Sequence, residues 1–572
     1  MESNKQSRGK EVSLALNLVG MNQQNKKKSN TKLWGILAVL FLQSAFAIAQ
    51  NKRYLILLAD KNNSPYSVSK PEAFLSQRSI ERRKRQGIPV TTRDLPVNPS
   101  YIATIKQAGA QVLYSSRWLN AVMISSNASV YNAIKKLSFV SGAEGNRSLD
   151  DQNLPVNESK SGKMEVKSET APVYGYTSNQ IKMLGVDKMH AAGYRGETML
   201  IGVLDNGFNN VNKNPVFQHL FKENRIAATY DFVNNETNVY NQGDHGTSVL
   251  STIAAFKDSS LVGTAFKATF VLLHTEDDLR ESKVEEANWL FGAEYADSCG
   301  VDVINTSLGY TEFDDATTDY TYQNMDGKTA LVTRAADWAV GVGMVVCASA
   351  GNEGNQAWKY IGAPADGDSV LAVGAVDLNL KKASFSSFGP SADQRIKPDV
   401  VALGQGTTTS SVAGNVASSN GTSFSSPLVS GLVAGFWQAF PYLNAYQVVQ
   451  TIKKAGSQAS KPDNSLGYGI PTFDRAFDLA PKPSGLQERR DDLVKIYPNP
   501  FIGDVNPIIE FQNYQVNKPL EADLYDFTGK IVWKGQILPN DSVLPIGKVP
   551  SGFYVLNLKN DSVYQVIKLL KQ

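Results

Sequence analysis

Residues 199–205 read Met-Leu-Ile-Gly-Val-Leu-Asp, an unbroken apolar run closed by an acid. Its length and its β-branched content suit a strand buried on both faces. Three similar runs follow: TFVLLHTE at 269–276, VDVINTSLG at 301–309 and MVVCASAGN at 344–352. Between them lie stretches of helical period, after His245, from Ser282 and around Trp338. That alternation predicts a parallel sheet covered by helices on both faces. In such a sheet, groups that do chemistry gather outside the carboxyl ends of the strands. Asp205 is placed at such an end.

The rest of the chain differs in kind. At roughly 150 residues per domain, 572 residues predict three or four units. With 42% hydrophobic and 19% charged residues, disorder and collagen-like repetition are excluded as classes. Lys plus Arg at 57 against Asp plus Glu at 54 gives +3, so a phosphate-binding surface, and with it nucleic acid, is not expected. Cys299 and Cys347 cannot staple a small scaffold, and no Cys/His spacing matches a zinc site. Both thiols are expected to be free and buried, and no metal ligand is assigned.

Lys26, Lys27, Lys28 and Lys32 precede an apolar run at 33–49 that ends Ala47-Ile48-Ala49, the pattern of a secretory signal peptide with a small-residue cleavage site. Residues 1–49 are read as that signal, with a true start at Met21. The run is shorter than the roughly 20 apolar residues of a membrane-spanning helix, so no transmembrane segment is expected in the mature protein. Residues 50–147 read as a small α+β unit, starting with the strand RYLILLAD at 53–60. Within it Arg82, Arg83, Lys84 and Arg85 fall in a helical pattern and are expected to form a solvated face. Polar residues 148–173 form a linker, 174–480 the α/β unit and 481–492 a second linker. Residues 493–572 alternate short strands with turn signals, which predicts a small antiparallel sandwich.

Two further positions share the setting of Asp205. His245, in Gly-Asp-His-Gly-Thr at 243–247, opens an apolar helix among small neighbours that leave its ring uncovered. Ser423, in Gly-Thr-Ser-Phe-Ser-Ser-Pro at 421–427, is placed at a helix N-terminus, with Pro427 expected in the first turn. His190, His219 and His274 lack such a setting and are read as structural. A serine hydroxyl is too weakly acidic to attack an amide unaided. It needs an imidazole to take its proton and a carboxylate to orient that imidazole. Asp205, His245 and Ser423 supply those roles in the chain order of subtilisin.

With the flanking motifs, the chain resembles the subtilisin-like serine proteases (subtilases) from about residue 180 to 471. The resemblance implies a subtilisin-like α/β fold and a secreted or cell-surface endopeptidase acting on polypeptides through an acyl-enzyme. It implies that Asn352, in Ala-Gly-Asn-Glu-Gly at 350–354, and the Ser423 N–H form the oxyanion hole. It also implies that Ser307, Leu308 and Gly309 pair with substrate as an added strand. Gly362 would then floor an open primary pocket suited to a medium or large apolar side chain. Asn206, Ser248, Phe424 and Ser425 depart from the common pattern without removing a catalytic atom. No cofactor is required for such chemistry. Structural calcium occurs in many subtilases, but loops such as 314–319 show no ordered ligand spacing.

Residues 50–147 resemble the subtilase propeptide, an intramolecular inhibitor. Residues 493–572 resemble a type IX secretion sorting domain, with Tyr-Pro-Asn-Pro at 497–500, which implies the outer-membrane type IX machinery as a partner. The competing reading is a catalytically inactive subtilase-fold surface protein that binds peptides.

Overall fold

The computed structural model describes residues 51–149, 174–257, 259–481, 494–511, 519–526, 529–538, 543–559 and 564–572. The signal-peptide reading of residues 1–49, and the body of both linkers, lie outside these residues. The N-terminal unit is an antiparallel sheet of β1 (Lys52–Leu58), β2 (Gln111–Ser116), β3 (Ala121–Ser126) and β4 (Val140–Ala143), in the order β2-β3-β1-β4. Its helices are α1 (Gln77–Gln86), α2 (Pro99–Gln107) and α3 (Ala128–Ile134). The period of two sorts its side chains. Tyr54, Ile56, Val122 and Ile124 build the unit's own core, while Leu55, Ala121 and Met123 join the core of the next unit.

The central strands are β5 (Leu200–Asp205), β6 (Ile226–Asp231), β7 (Thr269–His274), β8 (Val303–Thr306), β9 (Val345–Ser349), β10 (Leu371–Val376) and β11 (Val400–Leu403). They form one seven-stranded parallel sheet in the order β11-β10-β9-β8-β5-β7-β6. Both faces are covered, as the continuous apolar runs require. Ile201 and Val203 pack under α4 (Asp244–Ala254) and α7 (Thr422–Ala439), while Leu200 and Leu204 pack under α5 (Lys283–Cys299) and α6 (Leu331–Gly341). The chain first runs from β5 outward to β6 and β7, then crosses to β8 on the opposite side of β5. That reversal opens a crevice beyond the carboxyl ends of β5 and β8.

Local chemistry sets the helix ends. Ser282 and Glu285 form a capping box at the start of α5, and Gly300, at φ 87°, ends it. Beyond β11, β12 (Gln405–Ser410) and β13 (Val416–Asn420) form an antiparallel ribbon that leads into α7. Among the described residues the C-terminal unit has two antiparallel sheets. One pairs β14 (Val494–Tyr497) with β15 (Ile508–Phe511). The other orders β16 (Leu520–Asp526), β17 (Ile531–Ile537), β18 (Gly552–Lys559) and β19 (Tyr564–Lys571) as β17-β16-β18-β19. Val494, Phe501, Leu524 and Leu556 share its core. Cys347 is free and buried in β9, and Cys299 is free and half-buried.

Two local readings are corrected. Arg82 and Arg83 are not solvated: they are buried against the α/β unit. The pattern of α1 cannot distinguish a face turned to water from one turned to a carboxylate on another unit. Pro427 lies in the second turn of α7, not the first. Its missing N–H leaves the Ser423 carbonyl, four residues earlier, without a helical donor. The Ser307 hydroxyl donates to that carbonyl at 2.8 Å instead.

Candidate active site

Asp205 ends β5 and is 2% exposed. Its Oδ1 accepts from the Asn206 N–H at 2.9 Å and from His245 Nδ1 at 2.7 Å. His245 is the second residue of α4, and its side chain remains 37% exposed beside that buried acid. The loops carrying the two interlock at glycines. A side-chain carbon would lie 2.1 Å from the Gly207 carbonyl oxygen at Gly246, and 2.0 Å from that of Asn206 at Gly243. Asn206, a departure from the usual residue, strengthens the junction: its Oδ1 accepts from the Gly246 N–H at 3.0 Å and its Nδ2 donates to Asp278 at 2.6 Å.

Burial works against a charged His245 imidazole. The Asp205 charge and hydrogen bond, aided by Asp278 and Glu276, outweigh it and raise the pKa above the ordinary 6.5. With Nδ1–H committed to Asp205, Nε2 is the basic nitrogen. His190 and His219 contrast with it. Burial pushes His190 and His219 down to about 4, and each has its Nε2 against a backbone carbonyl. His274 pairs through Nδ1 with Asp231 at 2.9 Å, inside the sheet.

Ser423 is buried at the start of α7. Its hydroxyl donates to the Ser307 carbonyl at 3.2 Å, and among the described residues no hydrogen bond joins it to His245. The His245 ring lies against the neighbouring Phe424, with centroids 5.7 Å apart. Asn352 Oδ1 accepts from the Thr422 N–H at 2.9 Å and the Thr422 hydroxyl at 3.0 Å. This fixes the amide so that Nδ2 faces the Ser423 turn, where a carbon on Gly421 would meet it at 3.7 Å.

Ser307, Leu308 and Gly309 continue from β8 along this crevice. Ser307 is buried, Leu308 half-buried and Gly309 exposed. The Ser349 hydroxyl holds the Leu308 carbonyl at 3.2 Å, and Tyr310 bridges to Ala363 by N–H to O bonds of 2.8 and 3.3 Å. Gly362 lies next to that bridge, where a side chain would meet Thr311 Cγ2 at 3.2 Å. Among the described residues, no group of three or more His, Cys, Asp or Glu side chains is arranged to hold a metal ion.

Sequence reading missed the supports of this site. Ser426 and Ser430, four apart on α7, both donate to Asn305 Oδ1, at 3.2 and 3.0 Å. Asn305 Nδ2 then donates to the Ser307 hydroxyl at 3.0 Å, and that hydroxyl holds the Ser423 carbonyl. The available signal was the spacing of Ser423, Ser426 and Ser430 along one face of a largely apolar helix. Thr422, which clamps Asn352, had no signal beyond its place beside Ser423.

Residues 196–469 match the model of the subtilase family. Subtilisin DY of Bacillus licheniformis is 33% identical over 291 residues, which are 50% of this chain and 93% of the relative. The chain belongs to the subtilase family. Subtilisin NAT of Bacillus subtilis subsp. natto is 32% identical over 53% of this subtilase and 71% of its own length, and the subtilisin of Bacillus pumilus 32% over 51% and 94%. Residues 53–163 match the peptidase S8 propeptide domain of Bacteroidota, and residues 495–572 the secretion system C-terminal sorting domain. The subtilase is a serine endopeptidase made with a propeptide, and its sorting domain indicates secretion or attachment at the cell surface. No helix among the described residues is long and apolar enough to cross a membrane.

Proposed function

We propose that this subtilase cleaves extended polypeptides through an acyl-enzyme on Ser423, and the observation that carries the proposal is the buried Asp205 carboxylate bound to His245 Nδ1 at 2.7 Å beside the Ser423 turn. The substrate backbone pairs with Ser307, Leu308 and Gly309. Its side chain next to the scissile bond enters the pocket floored by Gly362, which suits a medium or large apolar group. The Ser423 hydroxyl rotates away from the Ser307 carbonyl and attacks the scissile carbonyl carbon, while its proton passes to His245 Nε2. Catalytic hydrogen bonds are commonly loose until substrate binds. Asp205 holds the imidazolium, and the oxyanion accepts from Asn352 Nδ2 and the Ser423 N–H. The imidazolium protonates the departing amine, leaving an ester on Ser423. Water then attacks that ester, gives its proton to His245, and the serine is regenerated as the acid product leaves.

In this reading residues 50–147 act as the intramolecular inhibitor and 174–480 as the peptidase. Residues 493–572 are recognised by outer-membrane type IX secretion machinery. The chemistry itself requires no cofactor. A peptide-binding surface protein without catalysis is disfavoured by the retained acid, base, nucleophile and Asn352.

The test is peptide hydrolysis by the processed protein, with products identified by mass. Ser423→Ala should abolish cleavage while the fold persists. Cleavage by Ser423→Ala at the parental rate would overturn the assignment.

A further inference from the structure

The amino-terminal edge of the central sheet carries a second set of charged groups that the peptidase reaction does not use. The carboxyl end of α5 points there, and the first helix of the propeptide lies across it. Asp297, in the last turn of α5, has a fully buried side chain that meets three guanidinium groups of the propeptide. They are Arg82, Arg83 at 2.7 Å and Arg117, all 9% exposed or less. Arg83 also pairs with Asp94 at 2.9 Å. Glu294, one turn earlier, accepts from the Ser116 hydroxyl, from the Arg117 N–H at 2.8 Å and from the Trp118 N–H at 3.1 Å. Arg78 and Arg85 face Asp302, which precedes β8.

Backbone groups match as closely as the charges. The carbonyls at the end of an α-helix lack intrahelical donors and carry the negative end of its dipole. Here the propeptide supplies those donors. The Ser76 N–H bonds the Ser298 carbonyl at 3.0 Å, and Arg78 and Arg82 bond the carbonyls of Gly300 and Val301. At the end of α6, Arg82 reaches Val342 at 3.2 Å and Gln86 reaches Gly343 at 2.7 Å. Gly300 leaves the room, since a side chain there would meet the Ser79 backbone nitrogen at 2.8 Å. Burial alone would neutralise Asp297, yet the charges of Arg117, Arg82 and Arg83 hold it below the ordinary aspartate range.

We infer that the propeptide grips the peptidase at this arginine-recognising exosite, centred on Asp297 and the ends of α5 and α6, and that this grip rather than the cleft sets how tightly the severed propeptide stays bound. The inference rests on the reading of residues 50–147 as an intramolecular inhibitor. The exosite lies at the amino ends of β5 and β8, while Asp205 and Ser307 lie at their carboxyl ends. The length of β5 separates them, about 17 Å at ~3.3 Å per residue. Cutting the linker therefore leaves the exosite contacts intact. Loss of either side would leave buried charge without its partner, which is costly.

The test uses the full chain carrying Ser423→Ala, with a recognition sequence for a site-specific protease inserted in the linker at 150–173. After cutting, retention of the propeptide is measured by size exclusion across a dilution and salt series. The cut parent should stay together, and raised salt should weaken it. Arg82→Gln and Asp297→Asn should each weaken retention at least about a hundredfold, and the pair together no more than the worse single change. Equal retention by parent and variants, independent effects that add, or a parent that separates on cutting would each overturn the exosite. If Asp297→Asn fails to fold, Arg82→Gln alone decides, because it leaves the peptidase unit unaltered. The experiment involves no catalysis, so failure of the nucleophile assignment would not move it.

Discussion

The two ends of the central sheet treat charge in opposite ways. At the carboxyl ends, polar groups are buried on one side and open on the other: Asp205 is 2% exposed while the His245 side chain it orients is 37% exposed. At the amino ends, Asp297 is closed over by three arginines. A site that does chemistry needs a fixed acid behind a reachable base and donors left unsatisfied for the transition state. A site that grips a folded partner needs every charge matched. One sheet provides both because its helices begin near the first edge and end near the second.

The most damaging changes act at the carboxyl edge. Ser423→Ala, His245→Ala and the double variant should all fall to one floor, at least about four orders of magnitude below the parent in kcat, since these groups act as a unit. Independent, additive losses would show that Ser423 and His245 do not act as one unit.

Asn352→Leu should have a smaller effect, lowering kcat about a hundredfold or somewhat more with KM nearly unchanged, because in the proposed mechanism its amide donates to charge that exists only in the transition state. Steady-state kinetics on one peptide read both constants. A raised KM with kcat preserved would move Asn352 from oxyanion donor to substrate contact.

The smallest effect sharpens the electrostatics. Only neutral His245 can act as base, so kcat/KM should fall as pH drops through its pKa, which lies above 6.5. Asp278 helps to stabilise the imidazolium. Asp278→Asn should therefore shift the acid limb toward lower pH and leave the alkaline plateau unchanged. A shift toward higher pH would contradict the sign.

Legibility in the sequence follows the same division. The parallel sheet was readable because strands buried on both faces leave unbroken apolar runs such as 199–205. The placement of Asp205, His245 and Ser423 at element ends was readable because each closes or opens an apolar run. The supports were not, since Thr422, Asn305, Ser426 and Ser430 act through contacts between elements that no single window contains. The exosite was least visible. Arg82 and Asp297 are 215 positions apart, and before they meet the arginine run has the pattern of an ordinary solvated helix. Pro427 was misplaced by one turn because the carbonyl it leaves without a helical donor, that of Ser423, is satisfied by Ser307 just beyond β8, far away in the sequence.

The central claim is that Ser423 is a nucleophile activated by His245 and Asp205, and covalent trapping tests it most directly. The processed subtilase is treated with a fluorophosphonate, and the adduct is located by peptide mass spectrometry. One phosphonyl group per chain on Ser423, lost in His245→Ala, is the predicted result. No adduct, or an adduct confined to another residue while peptide cleavage proceeds, would contradict it.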